Sequence, residues 1–246
     1  ALLIQIGANY ANDYVDYLKG ADTSGRLGPR RVTQSGLVKP ETMRIATAIV
    51  FLLACIPGTY IVYRGGLPFV FIGLTSILFA VLYTAGPFPL GYVGLADLFV
   101  LLYFGPIALA GTYYLHALRL TPEAMVAGFS PGLLSTALLT INNLRDIEQD
   151  RKANKRTLAV RFGANFARLE YLGCVMFATA VIPLFLFLKT NKHLLPAAAL
   201  ITSAYALRQV RAVLAGTSGK DLNIILAKTG KTLLFFGILF SLGWIT

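Results

Sequence analysis

Apolar residues dominate this chain in long uninterrupted runs, and polar residues gather between them. Eight such runs are close to or above the about 20 residues that a helix needs to cross a bilayer. They cover roughly residues 1–18, 42–63, 67–84, 98–118, 124–143, 169–188, 194–214 and 222–245. Each is expected to be a helix. Strands of a membrane barrel would read instead as ten-residue segments of strict alternation, which do not occur. Pro57, Pro106, Pro131 and Pro183 fall inside runs. Helix breaks are tolerated at membrane depth where neighbouring helices or polar side chains satisfy the freed backbone groups. The expectation is an all-α, polytopic membrane bundle forming one domain over 1–246, with cap loops over a central cavity.

Composition agrees. The 246 residues are 56% hydrophobic and 13% charged, where soluble domains carry about 25% charged residues. The net charge of +11 does not imply nucleic acid, because the cations lie between apolar runs rather than on one face. Counting with their flanks, the connections 19–41, 85–97, 144–168 and 215–221 hold 18 of the 22 lysines and arginines. The positive-inside rule therefore assigns these four connections to the cytoplasm. Only Arg64, Arg119, Lys189 and Lys192 remain on the other side. Cys55 and Cys174, inside apolar runs, read as packing residues, and His116 and His193 as interfacial ones.

Acids are few, and their positions are informative. Residues 142–163, NNLRDIEQDRKANKRTLAVRFG, follow a long apolar run and carry Asn142, Asp146 and Asp150 at i, i+4 and i+8. That spacing puts three oxygen donors on one helical stripe, about 6 Å per step. Acids at the end of a membrane-length run are costly and therefore suspect as functional. Carboxylates suit Mg²⁺, which also takes phosphate and water oxygens. The first run ends in a similar way: Asn12 and Asp16 repeat the i, i+4 pair, with Asp13 beside them and Asp22 beyond Gly20. Asp16, Asp146 and Asp150 are the expected catalytic acids, and Asp22, Asn12 and Asn142 complete the expected Mg²⁺ ligands. Neighbouring bases, Lys19, Arg30, Arg31, Lys155 and Arg156, suit an anion such as a diphosphate. Metal ions that bridge diphosphate oxygens stabilise it as a leaving group. The two acid clusters are expected to face each other at the cytoplasmic side.

A third polar-aromatic stretch, residues 83–92, lies between them and is rich in turn residues. The hydroxyls of Tyr83 and Thr84 could bind diphosphate oxygen, a reading favoured only with the family resemblance given below, and a tyrosine ring can stabilise a carbocation through its π face. For Phe88 and Tyr92 an interfacial aromatic belt is an equal reading.

At these residues the chain resembles the UbiA superfamily of intramembrane prenyltransferases, and within it the 1,4-dihydroxy-2-naphthoate polyprenyltransferase branch. NDYVDYLKGAD looks like the branch's first Asp-rich motif, and residues 142–163 look like its second. YTAGPFPLGYVGLADLFVLLYFG, GTYYL and LNIILAKTGKTLLFFG are similar to the branch as well. Hydroxybenzoate enzymes of the superfamily have a shorter first motif; here Asp22 stands ten residues after Asn12. The resemblance implies nine spans, so one more is expected before Ala1. It implies Mg²⁺-dependent transfer of a polyprenyl group from polyprenyl diphosphate to the naphthoate, with loss of diphosphate and CO₂, in menaquinone or phylloquinone synthesis. The isoprenoid tail would lie among helices open to lipid. The protein would be a multi-pass protein of the cell inner membrane with its active site facing the cytoplasm. Asp13, Asp97, Asn143 and Lys228 are secondary candidates for the acceptor, whose carboxylate needs a cation such as Lys155, Arg156 or Lys228. Another acceptor, 4-hydroxybenzoate or homogentisate, is the alternative. A transporter, which predicts charges near mid-bilayer, and a structural membrane subunit are more distant ones.

Overall fold

The computed structural model of the chain describes residues 1–20 and 27–245, and all regular structure among the described residues is helical. Each of the eight apolar runs is helical, as their length and composition dictate. The elements are α1 (Leu2–Leu18), α2 (Pro40–Gly65), α3 (Leu67–Leu82), α4 (Ala96–Tyr103), α5 (Pro106–Ala117), α6 (Pro122–Arg145), α7 (Ile147–Lys152), α8 (Leu158–Met176), α9 (Ile182–Thr190), α10 (Leu195–Leu214) and α11 (Leu222–Ile245). Among the described residues, five segments are long and apolar enough to cross a membrane: Pro40–Gly65, Ala96–Ala117, Pro122–Arg145, Leu158–Thr190 and Gly219–Ile245. Leu67–Leu82 is apolar but shorter. The helices α1 and α10 are more polar, carrying Asn9, Asn12, Asp13 and Asp16, and Arg208, Gln209 and Arg211, respectively. The protein is an integral membrane protein.

Prolines punctuate these spans. Pro106 opens α5 directly after the break at Phe104 and Gly105. Pro183, at the start of α9, follows a π-helical turn over Phe177–Val181. Proline lacks an N–H and its ring crowds the carbonyl four residues back, so a widened turn before it is the local remedy. One boundary differs from the sequence expectation. The connection 144–168 is mostly helical: α7 occupies part of it, and α8 starts at Leu158 rather than near 169. Arg161 and Arg168 made this stretch read as a loop, but a helix that leaves the apolar layer needs no change in backbone to carry them. Inside α8, Gly163 has φ +87° and breaks the helical path, a conformation that L side chains rarely adopt.

The chain divides into two compact units, residues 1–96 with 151–157, and residues 97–150 with 158–246. In the first, α1 packs on α2 and α3. The most apolar part of α2 has no buried residue, and Leu52, Ile56, Tyr60 and Tyr63 are exposed. A helix apolar all round is at home in lipid. In the second unit, α6 is the hub, contacting α5, α8, α9 and α11. Leu134, Ala137 and Ile141 of α6 are fully buried with Tyr171, Leu186 and Val213. Hydroxyls link the helices around it: Tyr171 with Thr229 at 2.7 Å, Thr179 with Ser203 at 2.9 Å, and Thr232 donating to Gln209 at 3.1 Å. Such bonds are common cross-links between helices in a membrane, where the pull of water is absent.

Candidate active site

The first unit gathers a polar cluster from three separated segments: the end of α1, the 83–92 turn, and the tail of the second acidic motif. The turn doubles back on itself, Leu90 and Gly91 donating their N–H groups to the carbonyls of Leu82 and Tyr83 at 3.0 and 2.9 Å. That brings Tyr92 beside α1. Its hydroxyl donates to Asp16 Oδ1 at 3.2 Å. Lys155 Nζ stands 3.3 Å from both Asp16 oxygens and 4.8 Å from the Tyr92 ring centroid. Lys19 Nζ lies over the same ring at 4.6 Å and donates to the Thr84 carbonyl at 2.6 Å. The backbone N–H of Arg156 donates to the Tyr92 carbonyl at 2.9 Å, pinning the 151–157 segment to the turn. Thr84 is buried, and its hydroxyl donates to Asn12 Oδ1. Tyr83 is half-buried next to it, and Arg31 is half-buried while Arg30 is exposed.

Asp13 has a different occupation. Its carboxylate accepts the N–H groups of Val32 and Thr33 at 3.1 and 3.2 Å, which ties the 31–37 turn to α1. Buried N–H groups left without a partner cost about 1–3 kcal/mol each. Asp13→Ala is therefore expected to loosen this turn while α1 persists. Limited proteolysis should cut near Val32 many times faster in the variant; an unchanged cleavage pattern would contradict the brace.

In the second unit the stripe Asn142–Asp146–Asp150 is interrupted. Asp146 ends α6 with φ −98° and ψ 10°, and α7 begins after it. Helical hydrogen bonds still run through the junction, Asp146 N–H to Asn142 O at 3.0 Å and Asp150 N–H to Asp146 O at 2.8 Å. Both carboxyl oxygens of Asp146 are held by its neighbour: Arg145 Nε at 2.8 Å and the Arg145 terminal nitrogen at 2.6 Å. The other guanidinium arm donates to Asn223 Oδ1 at 2.7 Å. Arg145 is buried, so the arginine counted among loop cations is a fixed strut between α6 and α11. Asn142 donates from Nδ2 to Leu138 O at 3.2 Å, while Asn143 is half-buried and Lys228 exposed.

Asp97 is not in a connection but in the first turn of α4, and it is buried. Neither of its carboxyl oxygens has a hydrogen-bond partner. Thr136 approaches only its carbonyl, at 3.5 Å. Glu170 of α8, a second acid of this unit, is half-buried, and the two carboxyls interact electrostatically. The sequence reading missed Glu170, although an acid inside an apolar run is by itself a functional signal. Asp22, expected among the metal ligands, lies outside the described residues.

Residues 1–244 match the sequence profile of the UbiA prenyltransferase family. The chain belongs to that family. As a member it is a prenyltransferase. Relatives that bear the name 1,4-dihydroxy-2-naphthoate octaprenyltransferase include three bacterial proteins. The Haemophilus influenzae protein is 34% identical over 98% of this chain and 80% of its own length. The Escherichia coli protein is 36% identical over the same shares. The Mycobacterium tuberculosis protein is 35% identical over 97% of this chain and 80% of its own length.

Prenyltransferases of the UbiA family are generally metal-dependent. Among the described residues no three His, Cys, Asp or Glu side chains come together as a metal cage. Mg²⁺ does not require one, since it keeps several waters and takes one or two carboxylates together with substrate phosphates. Asp16, and Asp146 with Asn142, are hard oxygen donors of that kind, and the lysine on Asp16 and the arginine on Asp146 mark both carboxylates as seats for positive charge. The donor set thus fits the ion.

Proposed function

We propose that this aromatic prenyltransferase transfers a polyprenyl group from polyprenyl diphosphate to 1,4-dihydroxy-2-naphthoate, with loss of diphosphate and CO₂, in quinone biosynthesis. The observation that carries this reading is the match to naphthoate octaprenyltransferases at 34–36% identity over nearly the whole chain. The reaction is placed at the cytoplasmic face of the inner membrane, where the basic connections lie by the positive-inside rule.

The assigned roles follow from the side chains. Asp16, Asp22, Asp146 and Asp150, with Asn12 and Asn142, are the Mg²⁺ ligands of this proposal. When bound, the ion neutralises the diphosphate charge that grows as the C–O bond breaks. Lys19 and Lys155 bind the diphosphate directly, with Arg30, Arg31, Arg156 and Tyr83 as further donors. Thr84 acts through Asn12, which it holds. The bond pair leaves with diphosphate, and the allylic carbon bonds to the ring carbon that bears the carboxylate. The ring–carboxylate bond then breaks, CO₂ departs and its electron pair restores the aromatic ring. Ordered positive charge aimed at the departing oxygens is the main source of rate in such a reaction.

Membranes carrying the protein, given carboxyl-labelled 1,4-dihydroxy-2-naphthoate, polyprenyl diphosphate and Mg²⁺, should release labelled CO₂ in step with prenylated product. Equal supply of 4-hydroxybenzoate or homogentisate should leave naphthoate the dominant acceptor. Prenylated hydroxybenzoate that keeps its carboxylate, formed as the main product, would move the acceptor assignment and leave prenyl transfer standing.

A further inference from the structure

The side chain of Tyr92 meets three charged groups of the first unit's cluster, Asp16, Lys19 and Lys155. Its ring carries Lys19 and Lys155, its hydroxyl holds Asp16, and its carbonyl anchors Arg156. The two lysines come from the end of α1 and from the tail that follows α7, and nothing in their local sequence brings them together. Both ammonium groups are within 4.8 Å of one ring centroid. They are therefore closer to each other than a Debye length at ordinary salt, about 10 Å. At such a separation like charges still repel, with partial screening by salt. The negative face of an aromatic ring offsets part of that repulsion without using the ammonium N–H donors, and Asp16 offsets more through its bonds with Lys155. A hydrogen-bonded acid in place of the ring would hold the lysines more tightly and leave them less able to move onto a ligand.

We infer that Tyr92 is a positioning residue that sets the affinity for the diphosphate of the prenyl donor, by keeping Lys19 and Lys155 together beside Asp16. The inference rests on the reading of these lysines as diphosphate binders. Among the described residues, Lys155 donates to Asp16 and Lys19 to the Thr84 carbonyl. An ammonium group has three donors, so each lysine keeps donors for an oxyanion while its charge rests on the ring. Tyr92 itself is half-buried.

A substitution series on the full-length protein in lipid nanodiscs tests this, with inorganic diphosphate plus Mg²⁺ as the binding probe. A cation–π seat predicts an order set by the ring. Tyr92→Trp and Tyr92→Phe should bind diphosphate within about threefold of the parent, while Tyr92→Leu should bind on the order of tenfold more weakly. The same loss should appear in the KM for polyprenyl diphosphate more than in kcat, because a positioning role acts on binding. Lys19→Met and Lys155→Met serve as the reference. If neither weakens diphosphate binding, the reading of the lysines fails and this inference with it. If they do and Tyr92→Leu does not, Tyr92 is not their seat and the inference alone is overturned. A plain packing role is equally exclusive: then Trp, as the oversized residue, would bind diphosphate worst and melt earliest, reversing the expected order.

Discussion

Asp16→Asn and Asp146→Asn are each expected to lower turnover by about 10²–10³-fold, the cost of removing one preorganised stabiliser of developing charge. Their effects on stability should differ, and the reason is the burial of the partner cation. Lys155, which faces Asp16, retains 19% of its side-chain exposure. A long flexible side chain with access to water can re-solvate when its acid is neutralised, so exposed and half-exposed ion pairs contribute little. Thermal unfolding of Asp16→Asn should stay close to that of the parent. Arg145 retains only 2%. Neutralising Asp146 leaves a guanidinium inside the protein with the Asn223 amide oxygen as its remaining side-chain acceptor, and breaking a buried pair from one side costs about 3–5 kcal/mol. Asp146→Asn should thus lose stability as well as activity, and Asp146→Glu should recover more stability than activity. Steady-state turnover at saturating Mg²⁺ and thermal unfolding in detergent measure the two separately. Near-normal turnover in either asparagine variant would remove that residue from the ligand set.

Larger still is the expected effect of a side chain at the crossing of α4–α5 with α6. A Cβ on Gly128 would stand 2.6 Å from Pro106 Cα, and one on Gly132 would stand 2.4 Å from the Leu101 carbonyl oxygen. Gly105, on the opposing side, has its Cα 2.9 Å from where the Gly132 Cβ would lie. The obstructing atoms are backbone, so no rotamer change relieves them, and the two helices must separate. Overpacking a tight core costs about 1–3 kcal/mol and occasionally more, and small residues are what let membrane helices approach so closely. Gly128→Leu and Gly132→Leu should therefore give little folded protein, seen as aggregation on size exclusion after extraction. Gly73→Leu on α3, where a Cβ meets nothing within 4 Å, is the control that should express normally. Equal behaviour of all three variants would refute the close-packed crossing.

The sequence by itself determined the helical class, the membrane setting and the composition of the candidate site. Apolar runs of membrane length leave the backbone no choice but to satisfy its own hydrogen bonds, which only a helix does within one segment. Acids are so rare in this chain that their clustering at the ends of α1 and α6 was visible without any fold. Sequence also brought out Asn12, Asp16, Asp146 and Lys155, because spacing and charge are one-dimensional signals. What only the tertiary structure decided is which partner each polar group takes. Asp13 and Asp16 sit three residues apart on the same helix, yet one braces a turn through Val32 and Thr33 and the other receives Lys155. Arg145 reads as one cation among several in a basic stretch, but it is buried and spans to Asn223 on α11. Tyr92 reads equally well as a belt residue; its meeting with Lys19 and Lys155 depends on a turn that folds back and on a segment more than sixty residues later. Glycines 105, 128 and 132 look like any others until the helices cross. The physical reason is common to all of these. Hydrophobicity and local charge act through composition and period, whereas pairing and close approach depend on distances between segments that the chain brings together only by folding.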